Sequence, residues 1–285
     1  MDFDAGRLAE GISRLHEALP IFEAGHDLHC LAISHDTLGQ LFLLQGYPRK
    51  ALQHLGKALH FVGSSNQIGQ SVLFLGGHVN AYIACGDTEA ALRSLHAARK
   101  IRIDHPHDGA DSYIQIELLR MQAAVDLARQ DPVSAREICA AAAALCVGRY
   151  FIPRASTLFI AGRAEHALGN IEEARAHFLV SVLVYRTRGE QTQGIVPLNH
   201  YARALNDESA DLVLRAIMLP LLRFGFQREL GDALLHHAHV ALRTEQVAVA
   251  RHRARSALSR FEESDDEMGI KRARDFLAIL ALNTI

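Results

Sequence analysis

Tryptophan is absent from this sequence, and cysteine and proline are scarce, with four and seven occurrences in 285 residues. None of the cysteines forms a Cys-x-x-Cys pair, so we expect free, mostly buried thiols and neither a zinc site nor a disulfide framework. Aromatic residues make up only 6% of the chain, which argues against an aromatic-lined cofactor pocket. The sequence therefore predicts no cofactor and no bound metal.

Long apolar runs are missing as well, because no stretch approaches the roughly 18 apolar residues of a membrane span. The first residues, MDFDAGRLAEG, carry two acids and no apolar run of signal-peptide type. The formal net charge of −2 gives no global field for nucleic acid or an anionic membrane. One basic stretch, ARHRARSALSR at 250–260, is nearly cancelled by the acids that follow it. We expect a cytoplasmic protein without nucleic-acid or membrane partners.

Catalytic signatures are also missing from the chain. It contains no Gly-x-Gly-x-x-Gly, no phosphate loop with its lysine and no Gly-x-Ser-x-Gly. The 17 histidines form local clusters, such as HHAH at 236–239, without a third ligand at a fixed spacing. These observations favour a protein that is not an enzyme.

The apolar residues that are present recur at intervals of three and four, which is the spacing of helices with one buried face. Breakers such as QGYPRK, CGDTE and LGNIEE interrupt this pattern about every 20 residues. The sequence therefore predicts an all-α chain of roughly fourteen helices in hairpin pairs. The stretch SDDE at 264–267 has the spacing of a capping box, with Ser264 as the expected cap of the last helix.

Small residues recur with a period near 40. One alanine per unit falls at Ala51, Ala91, Ala135, Ala174, Ala210 and Ala250. Two antiparallel helices approach closely only where facing side chains are small. We therefore expect Gly39 and Ala51 where the helices of one pair cross, and Ala58 where the second helix meets the next unit. Gly46 is expected to end the first helix in the left-handed conformation.

This arrangement resembles the tetratricopeptide repeat, a helix-turn-helix with small residues at fixed positions. The residues of the second unit that match the family pattern are Gly39, Phe42, Gly46, Ala51 and Ala58. Later matches are Tyr82, Gly86, Ala91, Ala98, Gly162, Gly169, Ala174 and Phe178. Val79 is larger than usual at its position, and Asp126 and Glu165 replace an expected large apolar residue. The period exceeds the family's 34 residues, as in repeat arrays of bacterial signalling proteins.

The resemblance implies one domain over residues 1–285, a right-handed superhelical solenoid of about six helix pairs with a capping C-terminal helix. We expect a partial first unit at 1–26, full units at 27–65, 66–108, 109–150, 151–190, 191–226 and 227–264, and a closing helix at 265–285. Repeat arrays expose polar terminal faces to stay soluble, whereas this chain ends on an apolar helix. Homodimerisation is therefore a possibility, with the expected contacts Phe276, Leu277, Leu280 and Leu282.

The resemblance also implies a concave groove lined by the first helices, in which members of the family bind peptides or proteins. The groove positions carried over to this chain are Asp36, Gln40, Asn80, Arg120, Arg163, His166, Asn199, Arg203, His239 and Arg243. Four of them are arginines, which suit a carboxylate or an acidic peptide.

These expectations lead to three functional hypotheses. The first is a non-catalytic scaffold or sensory module of a bacterial signalling protein, such as the N-terminal sensor of a diguanylate cyclase. Its partner would be a peptide, a protein segment or an effector domain of the same full-length protein. The second is a sensor for an anionic small molecule held by the arginines, and the third is a homodimerisation module.

Overall fold

The computed structural model describes residues 8–63, 68–104, 111–146, 150–205 and 208–282, and in these ranges every regular element is a helix. The helices are α1 Leu8–Ala24, α2 Leu28–Gln45, α3 Pro48–Gly63, α4 Ile68–Ala84, α5 Thr88–Asp104, α6 Asp111–Ala128, α7 Pro132–Leu145, α8 Phe151–Ala167, α9 Ile171–Thr187, α10 Gln191–Ala204, α11 Glu208–Phe224, α12 Gln227–Arg243, α13 Val247–Glu263 and α14 Glu267–Leu282. None of these helices is both long enough and apolar enough to cross a membrane.

The helices from α2 to α13 form six consecutive antiparallel pairs, with α1 packed on α2 and α14 packed on α13. Each first helix of a pair also contacts the first helix of the next pair, whereas the second helices pack mainly on their neighbours in sequence. The first helices therefore form the inner layer of the solenoid and the second helices the outer layer. The predicted all-α solenoid of six pairs with a closing helix is confirmed.

Small residues lie at the helix crossings, as the sequence predicts. A Cβ atom added to Gly39 would lie 2.6 Å from Leu55 Cγ and 3.2 Å from the carbonyl oxygen of Ala51. Ala58 is fully buried in a cluster with Phe74 of the next pair. The close approach of α2 and α3 thus depends on the missing side chain of Gly39.

The same device recurs in two later pairs. A Cβ atom on Gly162 would lie 2.6 Å from the ring of Phe178, and one on Gly231 would lie 2.6 Å from the ring of Phe261. Gly231 lies two turns earlier on its helix than Gly39 does, so in the α12–α13 pair the glycine contact lies near the start of the first helix. In the α4–α5 pair, Val79 occupies the crossing and is fully buried.

The buried carboxylates Asp126 and Glu165 replace apolar residues by bonding across the turn that follows their helix. Asp126 Oδ2 accepts a hydrogen bond from Ser134 Oγ at 3.1 Å. Glu165 Oε2 accepts one from Asn170 Nδ2 at 2.7 Å. Each carboxylate therefore joins the two helices of its pair by a polar contact where the family uses apolar packing.

Among the described residues, aspartate side chains cap four helices. In each case Oδ1 accepts a hydrogen bond from the backbone N–H three residues further on, at 2.9–3.0 Å. The four caps are Asp27, Asp87, Asp131 and Asp266. A carboxylate at this position satisfies a free N–H group and also complements the positive end of the helix.

The capping box expected from Ser264 to Glu267 is wrong. The cap of α14 is Asp266, whose Oδ1 accepts from Gly269 N. Ser264 is buried and its hydroxyl donates to the carbonyl oxygen of Arg260 at 3.0 Å, so it ends α13. The helix begins two residues later than the motif predicts, because an aspartate competes successfully with serine as a cap.

The winding of the solenoid brings its N-terminal turn back onto its C-terminal pairs. Gly46 ends α2 in the predicted left-handed conformation, with φ of 88°. A Cβ atom added there would lie 3.0 Å from Cβ of Arg228 and 3.5 Å from Cβ of Ser264. Leu41 of α2 belongs to the same core cluster as the helices α10 to α14. The turn after α2 therefore lies against the last pair, and residues of α2 share its core.

Candidate binding surface on the inner helices

Arg163 of α8 lies on the inner layer among charged groups of α10 and α12. Its guanidinium is 5.8 Å from the ring centroid of Phe159. Burial, followed by the positive charge of Arg228, lowers the pKa of Arg163, and Arg203 acts in the same direction. Glu229 opposes this effect, although Arg163 forms no ion pair with any described residue. The inner face therefore carries a partly buried cation without a bound carboxylate.

Asn199 of α10 is fully buried and holds Glu229 of α12 in place. Its Nδ2 donates to Glu229 Oε2 at 2.7 Å and to the Glu229 carbonyl oxygen at 3.1 Å. Burial, followed by the charge of Asp232, raises the pKa of Glu229. The predicted peptide-binding amide is thus engaged within the chain, and it fixes an acid beside Arg163 instead.

Asp232 joins three helices of the inner layer. Its Oδ2 lies 3.3 Å from Arg203 Nη1 of α10, and its Oδ1 lies 2.8 Å from Arg272 Nη2 of α14. Burial acts to raise the pKa of Asp232, but the charges of Arg203, Arg272 and Arg228 outweigh it and lower this pKa. Because each guanidinium is held through one of its nitrogens, its remaining N–H groups stay available for other acceptors.

A pocket of about 360 Å³ opens between α10, α12 and α14. Its polar lining residues are Arg203, Asp232, His236, His239, Arg272 and Asp275. Two cations and two carboxylates face this space, so its formal charge is balanced when both imidazoles are neutral. The predicted positive groove is therefore neutral at this end.

Both histidines of the pocket favour the neutral form. Burial, followed by the charge of Arg203, lowers the pKa of His236 to about 4. Burial and the charge of Arg243 lower the pKa of His239. The ring of His239 also packs edge-on against Phe276, with 4.3 Å between the ring centroids. At neutral pH these side chains offer one donor and one acceptor each and no charge.

Two further predicted groove residues lie at the edge of this cluster. Arg243 is exposed beside His239, and His166 is exposed near Arg203.

The remaining predicted groove residues lie on earlier helices. Arg120 is neutralised by Glu117, with Nε 3.0 Å from Oε2. Asp36 contacts Gln40 on α2, and burial raises the pKa of Asp36 to about 6. Asn80 is half-buried on α4. The structure thus brings together the predicted residues of α8, α10 and α12, and it leaves Arg120 in a separate ion pair.

Two of the four predicted dimer contacts are covered by the chain itself. Phe276 and Leu280 are buried in the core that α14 forms with α12 and α13, and Leu277 is half-buried against it. Leu282 is 75% exposed, and Ile279 is 51% exposed on the same helix. An apolar last helix therefore serves first to close the solenoid, since its apolar face caps the core of the last pair.

Sequence reasoning missed Arg228, Glu229, Asp232, His236 and Arg272. Asp232 and His236 lie seven residues before His239 and Arg243, which is two turns earlier on the same face of α12. The long period of the repeats could have predicted these positions. Helices longer than those of the family have additional turns, and each added turn places further residues on the inner face. Arg272 lies on the closing helix, for which the repeat pattern predicts no groove position.

No protein-family model matches the chain, and no curated protein matches it. Among solved structures, a Rap protein complexed with competence and sporulation factor has a TM-score of 0.63 at 12% identity, covering 94% of this chain and 80% of that one. A signal transduction ATPase with numerous domains and a tetratricopeptide repeat sensor, from Pyrococcus horikoshii, has a TM-score of 0.56 at 14% identity, covering 96% of this chain and 43% of that one. Aspartyl phosphate phosphatase F from Bacillus subtilis has a TM-score of 0.51 at 12% identity, covering 93% and 73%.

These likenesses show the fold of this chain. Its helix pairs form a solenoid of the tetratricopeptide-repeat type, as the resemblance in sequence implies. At identities this low the comparison identifies an architecture, and the residues of the inner layer must identify the function.

Proposed function

We propose that this protein is a non-catalytic regulatory scaffold that binds an extended peptide or protein segment along its inner helices. It would act in the cytoplasm, alone or attached to an effector domain. The observation that carries the proposal is Arg163, a partly buried guanidinium that rests on Phe159 and has no ion pair with a described residue. An acidic group of a bound segment would supply the missing partner.

The surroundings of Arg163 support an extended ligand. Glu229 lies on the same face and is held by Asn199. A bound segment would therefore meet the carboxylate of Glu229 beside the guanidinium of Arg163. Such alternation selects a segment with charges of both signs in a matching order and rejects others by unpaired charge. Two solved structures of similar fold belong to a Rap protein complexed with competence and sporulation factor and to an ATPase with a tetratricopeptide repeat sensor. Both are consistent with recognition or sensing on such a scaffold.

The proposal is tested by selecting phage-displayed random dodecapeptides on the immobilised full chain and measuring the affinity of the enriched peptides. Arg163→Glu reverses the charge on the inner face and should weaken binding about a hundredfold, equivalent to about 2.7 kcal/mol. Arg186→Glu makes the same change on the exposed face of α9 and should leave the affinity unchanged. Failure to enrich any sequence, or equal affinity for both variants, contradicts the proposal.

A further inference from the structure

The pocket between α10, α12 and α14 has its charged groups held in position before any ligand binds. Asp232 takes one guanidinium on each oxygen, so Arg203 and Arg272 are oriented by the same carboxylate. Asp275 lies on the exposed rim of the pocket and forms no ion pair with the described residues. Because the two signs are balanced, a lone anion or a lone cation gains no net attraction, whereas a ligand with both charges can satisfy each side.

His236 lies in the same wall, between the charged groups of α10 and α14. Burial, followed by the charge of Arg203, lowers the pKa of His236 to about 4, so the ring adds no charge to the wall at neutral pH. The charged contacts of a ligand in this pocket are therefore limited to the two arginines and the two carboxylates.

The remaining wall of the pocket is apolar. Leu235 and Phe276 are buried, and Ile279 is half exposed at the opening. Residues 272, 275, 276 and 279 follow the three-and-four spacing of one helix face, so α14 presents its charges next to its apolar side chains. The volume of about 360 Å³ is at the lower end of ligand sites, which span roughly 300–1,000 Å³. A pocket of this size suits one amino-acid molecule.

We propose that this pocket binds a zwitterionic α-amino acid with an apolar side chain. The carboxylate lies against the free N–H groups of Arg203 and Arg272, and the ammonium group lies against the carboxylate of Asp275. The apolar side chain packs on Phe276. Arg163 does not line this pocket, so amino-acid binding here is tested independently of peptide binding.

The chemistry is tested with L-leucine as the probe, measured by saturation-transfer NMR and calorimetry on the full chain at neutral pH. N-acetyl-leucine lacks the ammonium group and leucinamide lacks the carboxylate, so each should bind at least about tenfold more weakly, a loss of 1.4 kcal/mol. Equal binding of leucine and either analogue overturns the proposal. Absence of binding by leucine, isoleucine, valine, methionine and phenylalanine at millimolar concentration overturns it too.

Variants of α14 place the ligand in the pocket. Arg272→Gln should weaken leucine binding about tenfold, while Arg274→Gln, which removes an exposed arginine paired with Glu262, should leave it unchanged. Asp275→Asn should weaken leucine without changing N-acetyl-leucine, a pattern that misfolding cannot produce. Leucine binding that ignores Arg272→Gln overturns the assignment. Enriched peptides that depend on Arg163 but do not compete with leucine would leave both proposals standing.

Discussion

The first and last helix pairs, α2–α3 and α12–α13, use the same glycine packing but place their polar residues differently. In α2–α3, His35 lies between the two helices, with its Nδ1 3.0 Å from Nδ1 of His54. The ring of Phe61 stacks on His35 from the other side. In α12–α13, Asp232 turns away from its own pair and binds arginines of α10 and α14. The polar groups of the first pair therefore contact each other, whereas Asp232 of the last pair joins its helix to the helices on either side.

The two pairs also contact each other, which is unusual for elements so distant in the chain. The turn at Gly46 lies against Arg228, and Arg49 of α3 lies 4.0 Å from Glu267 of α14. The exposed ion pair adds little stability. The contact at Gly46 and the shared core around Leu41 therefore join the N-terminal pair to the last helices.

The largest effect is expected from filling the glycine crossing of the last pair. Gly231→Leu would force a side chain into the ring of Phe261 and should lower the free energy of unfolding by about 3 kcal/mol. The matched control is Gly56→Leu, on an exposed face of α3 with nothing within 4 Å of an added Cβ atom. It should raise stability by about 0.5–1 kcal/mol, because glycine is a poor helix former. Urea denaturation measures the change in the free energy of unfolding for both variants. Similar changes would contradict a close helix crossing at Gly231.

Loss of the carboxylate that joins the inner helices should be the next largest effect. Asp232→Asn leaves Arg203 and Arg272 without their partner and should cost about 2–3 kcal/mol. Glu262→Gln removes the exposed partner of Arg274 and should cost less than about 1 kcal/mol. The two are compared by chemical denaturation at low and high salt. A Glu262→Gln cost as large as that of Asp232→Asn would argue against a special inner surface.

The contact between the two ends of the solenoid predicts an intermediate effect. Gly46→Ala introduces both left-handed strain and a contact with Arg228, and it should cost about 2 kcal/mol. Gly169→Ala has the same strain, at φ of 83°, but nothing within 4 Å, and should cost about 1 kcal/mol. The difference in the free energy of unfolding between the two variants, measured by thermal denaturation, gives the contribution of the contact with Arg228. Identical costs would show that Arg228 moves aside freely.

Acid should destabilise both pairs by the smallest amount. The pKa of His35 and the pKa of His236 are each lowered to about 4, mainly by burial, so the unfolded chain takes up the proton first. This part of the stability is present above pH 6.5 and is lost as the pH falls toward 4, about 1 kcal/mol per histidine between pH 7 and 5.5. His236→Asn should remove its share of this dependence in urea melts at the two pH values. An unchanged pH dependence in the variant would speak against the neutral ring.

Asp36 has the opposite sign and provides an internal control. Burial raises the pKa of Asp36 to about 6, so its contribution falls as the pH rises from 3.8 toward 6. Asp36→Asn should therefore stabilise the protein by about 2 kcal/mol more at pH 7 than at pH 4. Destabilisation at pH 7 would mean that the contacts of the carboxylate stabilise the folded state by more than its desolvation costs.

Parts of the candidate surface were predictable, and parts were not. Arg163 and Arg203 lie on inner helices as the resemblance implies, because one helix face repeats every three or four residues. Arg272 could not be assigned, since the closing helix has no position in the repeat. Phe276 and Leu280 read as exposed contacts in the sequence, yet the last pair covers them. An apolar side chain at a chain end does not reveal whether its own domain or a second copy buries it.

By itself, the sequence determined the helices, their pairing and the close approach at Gly39 and Ala51. These depend on local periodicity and on side-chain size, which are properties of short stretches. Only the tertiary structure decided that Asp232 meets Arg203 and Arg272, and that the turn at Gly46 lies against Arg228. Those contacts depend on small rotations between successive pairs, which accumulate along the solenoid and are encoded in no single repeat.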